Sequence, residues 1–544
     1  MYGTAPTPPR EIELKLEVAP ASLPALKKVP LLRSLKAPPR RTSEVSVYFD
    51  TDKHKLRRNG LTLRVRRVGD RHMQTIKVDG NSASFERDEW ETEIAGPEPD
   101  LEHARGTALE PLANDKLRLK PQFETRVRRT VYPVADDTRA FALTIDRGTI
   151  KTGGRSVPVS EIELELERGN PVQLFEEARK LTRGLAAQLG VRSKAERGYA
   201  LMDGSLDAPI KSVKIELPAG AATREAFRII GRACLKQIVG NEPALIKVDP
   251  EGVHQMRVGL RRLRAAMSLF GGLLRDPQTE AIKAELKWLT TELGPARELD
   301  VLVKRVVAPM QASHAHWDGL PSVSHALAQK REAALARAQD AVTSPRFRAL
   351  TLEAAAWLEA GDWTAARDDL VRDRGELAIA IFACGQLTRR WRKVRKKGRT
   401  LAKLDACSRH KLRIQAKKLR YAIEFFAGPL AGKRARRRRK QRFAPSSACR
   451  TGSASSTTLR CTRNASPPSA SAAGDQARSA PLPPACSPAA RTPALTPPWR
   501  RQPKPMGIWS RSGGFGNDAR TGLAGRRGNL ANHPLYDRDL AAGA

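Results

Sequence analysis

In several short stretches of this 544-residue chain, acidic and basic residues recur at every second position. In "EIELK", Glu11, Glu13 and Lys15 fall on one side of an extended chain and Ile12 and Leu14 on the other. "LTLRVRR" puts Arg64 and Arg66 together, and "SEIELELE" does the same for Glu161, Glu163 and Glu165. Glu-x-Glu on opposing strands supplies hard oxygen ligands for Mg²⁺ or Mn²⁺, with positions left over for substrate oxygens and water. Arg and Lys on a facing wall would hold phosphates. A second constellation has helical spacing. His254, Arg257, Arg261 and Arg264 fall at i, i+3, i+7 and i+10, and His410, Arg413, Lys417 and Arg420 repeat that spacing. Arginines stacked on one helix face beside a histidine suit a row of phosphates. A histidine metal site lacks a carboxylate or thiol at a fitting offset.

Strands must position the first constellation. "EIELKLEV", "SEVSVYFDT", "LTLRVRRV", "RDEWETEI", "TRVRRTVYPV", "RAFALTIDRG" and "SEIELELE" alternate in period two, and turn residues such as Asn59-Gly60 and Gly153-Gly154 separate them. Two architectures fit. One is an open sheet with a solvated charged face. The other is a closed antiparallel barrel with a charged lumen and an outer face packed on other elements.

The ordered set "EIELK", "YFDTDKHKLRRNGLTLRVRR", "QTIK", "RDEWE", "FETRVRRTVY", "LTIDRG", "SEIELEL" and "SKAERGYAL" resembles the CYTH domains, the triphosphate tunnel metalloenzymes, across about 200 residues. The resemblance implies an eight-stranded antiparallel tunnel that binds a linear triphosphate with one or two metal ions, Mg²⁺ or Mn²⁺. It implies that Glu11, Glu13, Glu161 and Glu163 hold metal. Lys15, Arg64, Arg66, Lys77, Arg87, Arg129 and Lys194 would then clamp the phosphates. Glu89, Glu91 and Asp146 stand where the family has further tunnel acids and, with Glu11, Glu13 and Lys15, form the catalytic set. Arg126 and Arg128 have the opposite parity to Arg129 and are left out. Most members hydrolyse the terminal phosphoryl group and some cyclise ATP. Phosphoryl transfer needs positioning and charge neutralisation more than a covalent nucleophile, and the strand region offers no Ser, Cys or His for that role. Tyr48, Phe49 and Trp90 are candidate rim residues should a nucleotide base be bound.

From Thr223 to about Phe426 the texture is helical and rich in Ala, Leu and Arg. The apolar positions of the two basic motifs match as well: Met256 with Leu412, Val258 with Ile414, Leu263 with Leu419, Phe270 with Phe426. This is an internal duplication. Taken singly, each histidine could be a core or capping residue and each charge run a solvated face; repetition of the whole spacing argues for a shared groove. "HQMRVGLRRLRAAMSLF", "LGPARELDVLV" and "HKLRIQAKKLRYAIEFF" resemble the CHAD domain, a helical bundle with internal pseudo-symmetry that binds inorganic polyphosphate. Lys283 and Lys287 could extend such a groove.

The expected fold class is therefore α+β. Residues 1–205 form the strand tunnel, 206–222 a linker, 223–433 a helical bundle whose second repeat is truncated, and 434–544 a basic low-complexity tail. The formal net charge of +39 points to a polyanionic partner: inorganic triphosphate or polyphosphate. A nucleic-acid reading competes for the basic helices, but no recognised motif supports it. Six cysteines without regular spacing, three of them in the tail, leave the others as reduced core residues. No signal pattern and no membrane-length apolar run is seen, which implies a cytoplasmic protein, associated with polyphosphate granules if the partner is right. Oligomeric state is not legible.

The tail carries a further signal. No glutamate occurs in residues 425–544. Residues 446–464, "SSACRTGSASSTTLRCTRN", can be back-translated so that reading two bases later spells "KRLQDRLGELNDIAVHEK". Residues 287–302, "KWLTTELGPARELDVL", share its Lys-x-Leu start and its Leu-Gly offset. A shifted reading frame is therefore expected after about residue 440; a disordered basic tail is the alternative.

Overall fold

The computed structural model describes residues 10–430 except 35–37, 79–85, 115, 219, 315 and 366–367. The end of the expected bundle at 431–433, the tail, and the side chains of Glu11 and Arg87 lie outside the described residues.

The period-two segments become β1 (Arg10–Val18), β2 (Arg40–Asp50), β3 (Leu61–Val68), β4 (Arg71–Val78), β5 (Glu86–Ile94), β6 (Lys120–Ala135), β7 (Ala140–Thr152) and β8 (Arg155–Arg168), with a short β9 (Ala187–Leu189). All pairings are antiparallel, and one sheet runs in the order β5-β4-β3-β2-β6-β7-β8-β1-β9. The expected eight strands are corrected to nine. β9 is three residues long and follows a helix, so it carries no alternation to read; it pairs with Leu16–Val18. β1 also pairs with β5, through Arg10–Ile12 and Glu86–Asp88 alone, so the sheet curls back toward its first strand.

Register puts the expected charged residues on one face. Lys15 lies opposite Glu163, Asp146 opposite both Arg129 and Glu161, and Lys77 opposite Thr62 and Glu89. The other face is apolar and covered. Phe49, Leu63, Val65 and Ile76 pack against Ala104, Leu109 and Leu117 of the β5–β6 connection. Leu14, Leu16, Ile162 and Leu164 join the core that holds Leu174, Phe175 and Leu181 of α3. Each fully buried leucine contributes on the order of 2 kcal/mol, so a one-residue slip would expose this set and bury the charges.

Two helical turns, α1 (Pro30–Ser34) and α2 (Lys55–Arg58), lie between the early strands. α3 (Pro171–Arg183) follows β8, and α4 (Lys194–Met202) follows β9. Ser193 starts α4 with a capping box: its hydroxyl accepts from the Glu196 N–H, and Glu196 accepts from the Ser193 N–H.

The helical region holds α5 (Thr223–Val239), α6 (Glu242–Ile246), α7 (Pro250–Leu269), α8 (Pro277–Glu292), α9 (Gly294–Leu302) and α10 (Ala308–Ser313). It continues with α11 (Leu320–Thr343), α12 (Pro345–Ala360), α13 (Asp369–Glu376), α14 (Ile379–Gly398) and α15 (Ala406–Phe426). The duplication is visible in the backbone. The Thr223 N–H donates to Leu377 O (2.9 Å) and the Ile379 N–H to Ala221 O (3.0 Å), a reciprocal pair around an Ala222–Ala378 bridge. Phe227, Phe270, Trp357 and Phe426 share a core with the outer face of the strands, and Ile215 and Leu217 of the expected linker are buried in it. Cys234 is buried, Cys384 half-buried and Cys407 exposed, so the core reading of the cysteines holds for Cys234 alone. Among the described residues no helix is long and apolar enough to cross a membrane.

Candidate functional site

The charged face of the strands lines a cavity of about 620 Å³. Of the residues picked out by spacing or resemblance, Glu13, Lys15, Arg64, Arg66, Lys77, Glu89, Glu91, Arg129, Glu163 and Lys194 reach it. Asp146 and Glu161 do not line the cavity; they lie fully buried beneath it, under Arg129 and Lys194. The strands bring these side chains together by alternation, and α4 adds Lys194 from its first turn.

The floor is an ionic cluster. Arg129 grips Asp146 with two hydrogen bonds, Nε to Oδ1 at 2.9 Å and Nη2 to Oδ2 at 2.6 Å, and also donates to Glu163 at 3.0 Å. Lys194 Nζ lies 2.7 Å from Asp146 and 2.9 Å from Glu163, and it also pairs with Glu161. Lys15 pairs with Glu163 and reaches Glu13 at 3.2 Å. Burial opposes the charge on Lys15, but Glu13, Glu161 and Glu163 outweigh it and hold the ammonium well above its ordinary range. Burial works the same way against Lys194 and Arg129, and again the neighbouring acids win. Burial would push Glu163 and Asp146 up; the surrounding lysines and Arg129 hold both below the usual carboxylate range. The floor is thus a set of fixed charges that partly neutralise one another.

The opposite wall is more open. Lys77 lies 2.6 Å from Glu89, Arg66 lies 2.7 Å from Glu91, and Arg64 lies within 3.8 Å of both acids. Two buried atoms of this wall, Arg64 Nε and Arg66 Nε, have no hydrogen-bond partner among the described residues. Unpartnered guanidinium donors beside one cavity fit an anionic ligand.

The carboxylates fit a hard cation. Oxygens of Asp146, Glu161 and Glu163 lie within 4.8 Å of one another. Glu161 and Glu163 belong to the set that the CYTH resemblance implies for metal, together with Glu11 and Glu13; Asp146 is the third carboxylate of this trio. Spacing also missed Glu44, 3.7 Å from Arg66, and Arg197, 3.7 Å from Glu161. Both had the right parity or lay in a quoted motif, but only strand register tells which partners they meet. Of the three aromatic rim candidates, Tyr48 alone lines the cavity, stacked on Phe123 at 4.5 Å. Phe49 and Trp90 turn outward into the apolar core. Arg126 is exposed and paired with Glu124 at 2.8 Å, as its parity required.

The two basic motifs come together on α7 and α15, which pack against one another. Lys417 is pushed below its ordinary range by burial and by Arg413, Arg261 and Arg420. Lys418 is pushed the same way by burial, Arg390, Arg264 and Lys393. Burial and then Arg297 lower the His254 pKa, which favours the neutral ring. Arg257 is pinned by a hydrogen bond to Thr290 O at 2.8 Å. Among the described residues, Arg261, Arg264, Arg413 and Lys417 have no acidic partner within ion-pair distance. α14 adds Arg390 and Lys393, which the motif spacing could not show. Lys283 is held by Glu280 at 2.6 Å.

Residues 9–199 match the CYTH domain model and residues 229–442 the CHAD domain model. The inorganic triphosphatase of Haemophilus influenzae is 31% identical over 200 residues, which cover 35% of this chain and 55% of that protein. The chain thus spans about half the length of that relative. Among solved structures, the CHAD domain of the plant Ricinus communis is 35% identical over 42% of this chain and 74% of its own, with a TM-score of 0.36. A Hippeastrum protein of adenylyl cyclase type, described as having a dominant triphosphatase activity, is 17% identical over 35% of this chain and 96% of its own, with a TM-score of 0.27. The chain joins a CYTH domain to a CHAD domain.

Proposed function

We propose that the cavity hydrolyses inorganic triphosphate or a related short linear polyphosphate, and that the α7–α15 groove binds longer polyphosphate. The observation that carries this reading is the cavity itself: six cationic side chains, Lys15, Arg64, Arg66, Lys77, Arg129 and Lys194, converge on one space. A triphosphate carries about four to five negative charges and cannot be desolvated without matched cations. At present each of these cations rests near a carboxylate, so substrate oxygens must compete with Glu89, Glu91 and Glu163 for them. A divalent cation held by Asp146, Glu161 and Glu163, with Glu13 beside them, would offset the carboxylates of the floor and add positive charge near the phosphate oxygens. Mg²⁺ or Mn²⁺ suits an all-oxygen set.

The chain's own residues then do three things. Arg64, Arg66 and Lys77 hold the phosphates on one wall, and Lys15, Arg129 and Lys194 hold them on the other. The same cations stabilise the charge that builds on the bridging oxygen as its bond to the terminal phosphorus breaks. Water supplies the new bond to that phosphorus, and the products are orthophosphate and pyrophosphate. Among the described lining residues Tyr48 is the one aromatic side chain, and it is stacked on Phe123; this sparse aromatic lining favours an inorganic substrate over ATP or thiamine triphosphate. On this reading the protein works in the cytoplasm, at polyphosphate deposits, with residues 1–205 as catalyst and 223–433 as anchor.

The test is phosphate release from tripolyphosphate, ATP and thiamine triphosphate with Mg²⁺ or Mn²⁺. Tripolyphosphate should be preferred, and Glu163→Gln should abolish turnover. Tight binding of tripolyphosphate without any release would instead make the protein a polyphosphate-binding adaptor.

A further inference from the structure

The helical half repeats itself, but the described residues hold only part of the second copy. α5 and α14 start at Thr223 and Ile379, and α7 and α15 at Pro250 and Ala406, with one constant offset between the copies. In the first copy α7 is packed by α8 and α9, and α5 by α12. The described residues end at Leu430, before any counterpart of those helices could begin.

The effect is visible at matched positions. Met267 on α7 is 1% exposed, while its counterpart Ile423 on α15 is 55% exposed. Leu235 on α5 is 3% exposed, while its counterpart Trp391 on α14 is 54% exposed. Ile414 and Leu401 are exposed on the same pair of helices and the turn between them. Scattered surface apolar residues are ordinary. Residues exposed where the sister copy buries their equivalents mark a face made to be covered.

We infer that this face of α14 and α15 is the seat of a second set of helices equivalent to α8–α12, whose first pair is encoded in the shifted frame across the codons for residues 446–464. The shifted reading, "KRLQDRLGELNDIAVHEK", carries at matching spacing the same residues as Lys287, Leu289, Leu293, Gly294 and Val301. Leu289 and Leu293, two of these shared positions, are fully buried where α8 turns into α9. Charge favours this occupant over a second copy of the chain. α14 and α15 are crowded with Arg390, Lys393, Arg395, Lys411 and Arg413, and self-docking would bring like charges together. The shifted segment sets two aspartates and two glutamates against two lysines and two arginines, so it adds no net positive charge. Inserting one base, or deleting two, between codons 430 and 446 joins the frames.

The experiment compares the chain as it stands with a frame-restored chain made by one inserted base. Trp391 is read in each by subtracting the fluorescence of the matching Trp391→Phe variant, and hydrogen exchange is read over α14 and α15. In the restored chain, Trp391 emission should move to shorter wavelength, acrylamide should quench it several-fold less, and exchange over α15 should slow by at least ~10-fold. A synthetic peptide of the shifted sequence, added to the chain as it stands, should shield Trp391 where a scrambled peptide does not. Sequencing the gene and its transcript through codons 425–470 should find the frame open. Equal quenching in both chains overturns the inference. So does a Trp391 already shielded in the chain as it stands, a restored chain that does not fold, or a stop codon before an α8–α9 equivalent is complete.

Discussion

Replacing Glu242 by Gln should make the protein more stable at neutral pH and no more stable in acid. Glu242 opens α6, is 4% exposed, and meets the strand domain through Gln188, whose side-chain N–H donates to it at 2.6 Å. Burial, and then the nearby Glu17, push its carboxyl up to about 7 from an ordinary 4.5; Arg348 and Gln188 pull back only in part. The native state therefore keeps a proton that the unfolded chain has already lost. The stabilising contribution is fully present below about 4.5 and is lost as pH rises through 7. At ~1.36 kcal/mol per pH unit the loss over that interval is ~3 kcal/mol. Glutamine keeps the shape and cannot ionise. Urea unfolding from pH 4.5 to 8.5, compared between the chain and Glu242→Gln, should show no difference at the acid end and an advantage of ~3 kcal/mol for the variant at pH 8. A variant less stable at pH 8, or a difference that does not change with pH, would refute the reasoning.

Three other outcomes follow from packing and charge. Gly198→Ala puts a methyl 2.1 Å from the Phe123 ring on α4, the helix that carries Lys194; unfolding should show a loss of about 1–3 kcal/mol, and tripolyphosphate turnover should fall with it. Arg262→Met removes a buried guanidinium that holds Glu424 at 2.8 Å and Gln237 at 3.0 Å; denaturant titration followed over the helical domain should show a loss of ~3 kcal/mol. His254→Ala with Arg257→Ala should weaken retention on immobilised polyphosphate by at least ~10-fold, and polyphosphate should displace duplex DNA from the unaltered chain in a competition assay. Displacement of polyphosphate by DNA would remove the polymer assignment.

Side-chain alternation is local, so much of the cavity was legible before any coordinates. Parity alone put Glu13, Lys15, Arg64 and Arg66 on one face and excluded Arg126 and Arg128. It also held the answer for Trp90, which lies between Glu89 and Glu91 and so had to face the other way. What parity cannot supply is which strand lies beside which. The meeting of Asp146 with Arg129 on one side and Glu161 on the other depends on β6, β7 and β8 being neighbours in a particular register. For the same reason Glu44, Arg197 and the three-residue β9 went unseen. In the helical half, helix periodicity found the faces of α7 and α15. Lys418, Arg390 and Lys393 join them only through tertiary packing.

The central claim is that a single cavity neutralises a three-phosphate guest with cations from both walls, and calorimetric titration with tripolyphosphate tests it most directly. Arg64→Met, on one wall, and Lys15→Met, on the other, should each raise the Kd by about 100-fold, in line with the loss of a buried charge-assisted contact. Titration of long-chain polyphosphate onto the α7–α15 groove should be left unchanged in both variants. If tripolyphosphate binds both variants as tightly as the unaltered chain, its seat is elsewhere and the account fails.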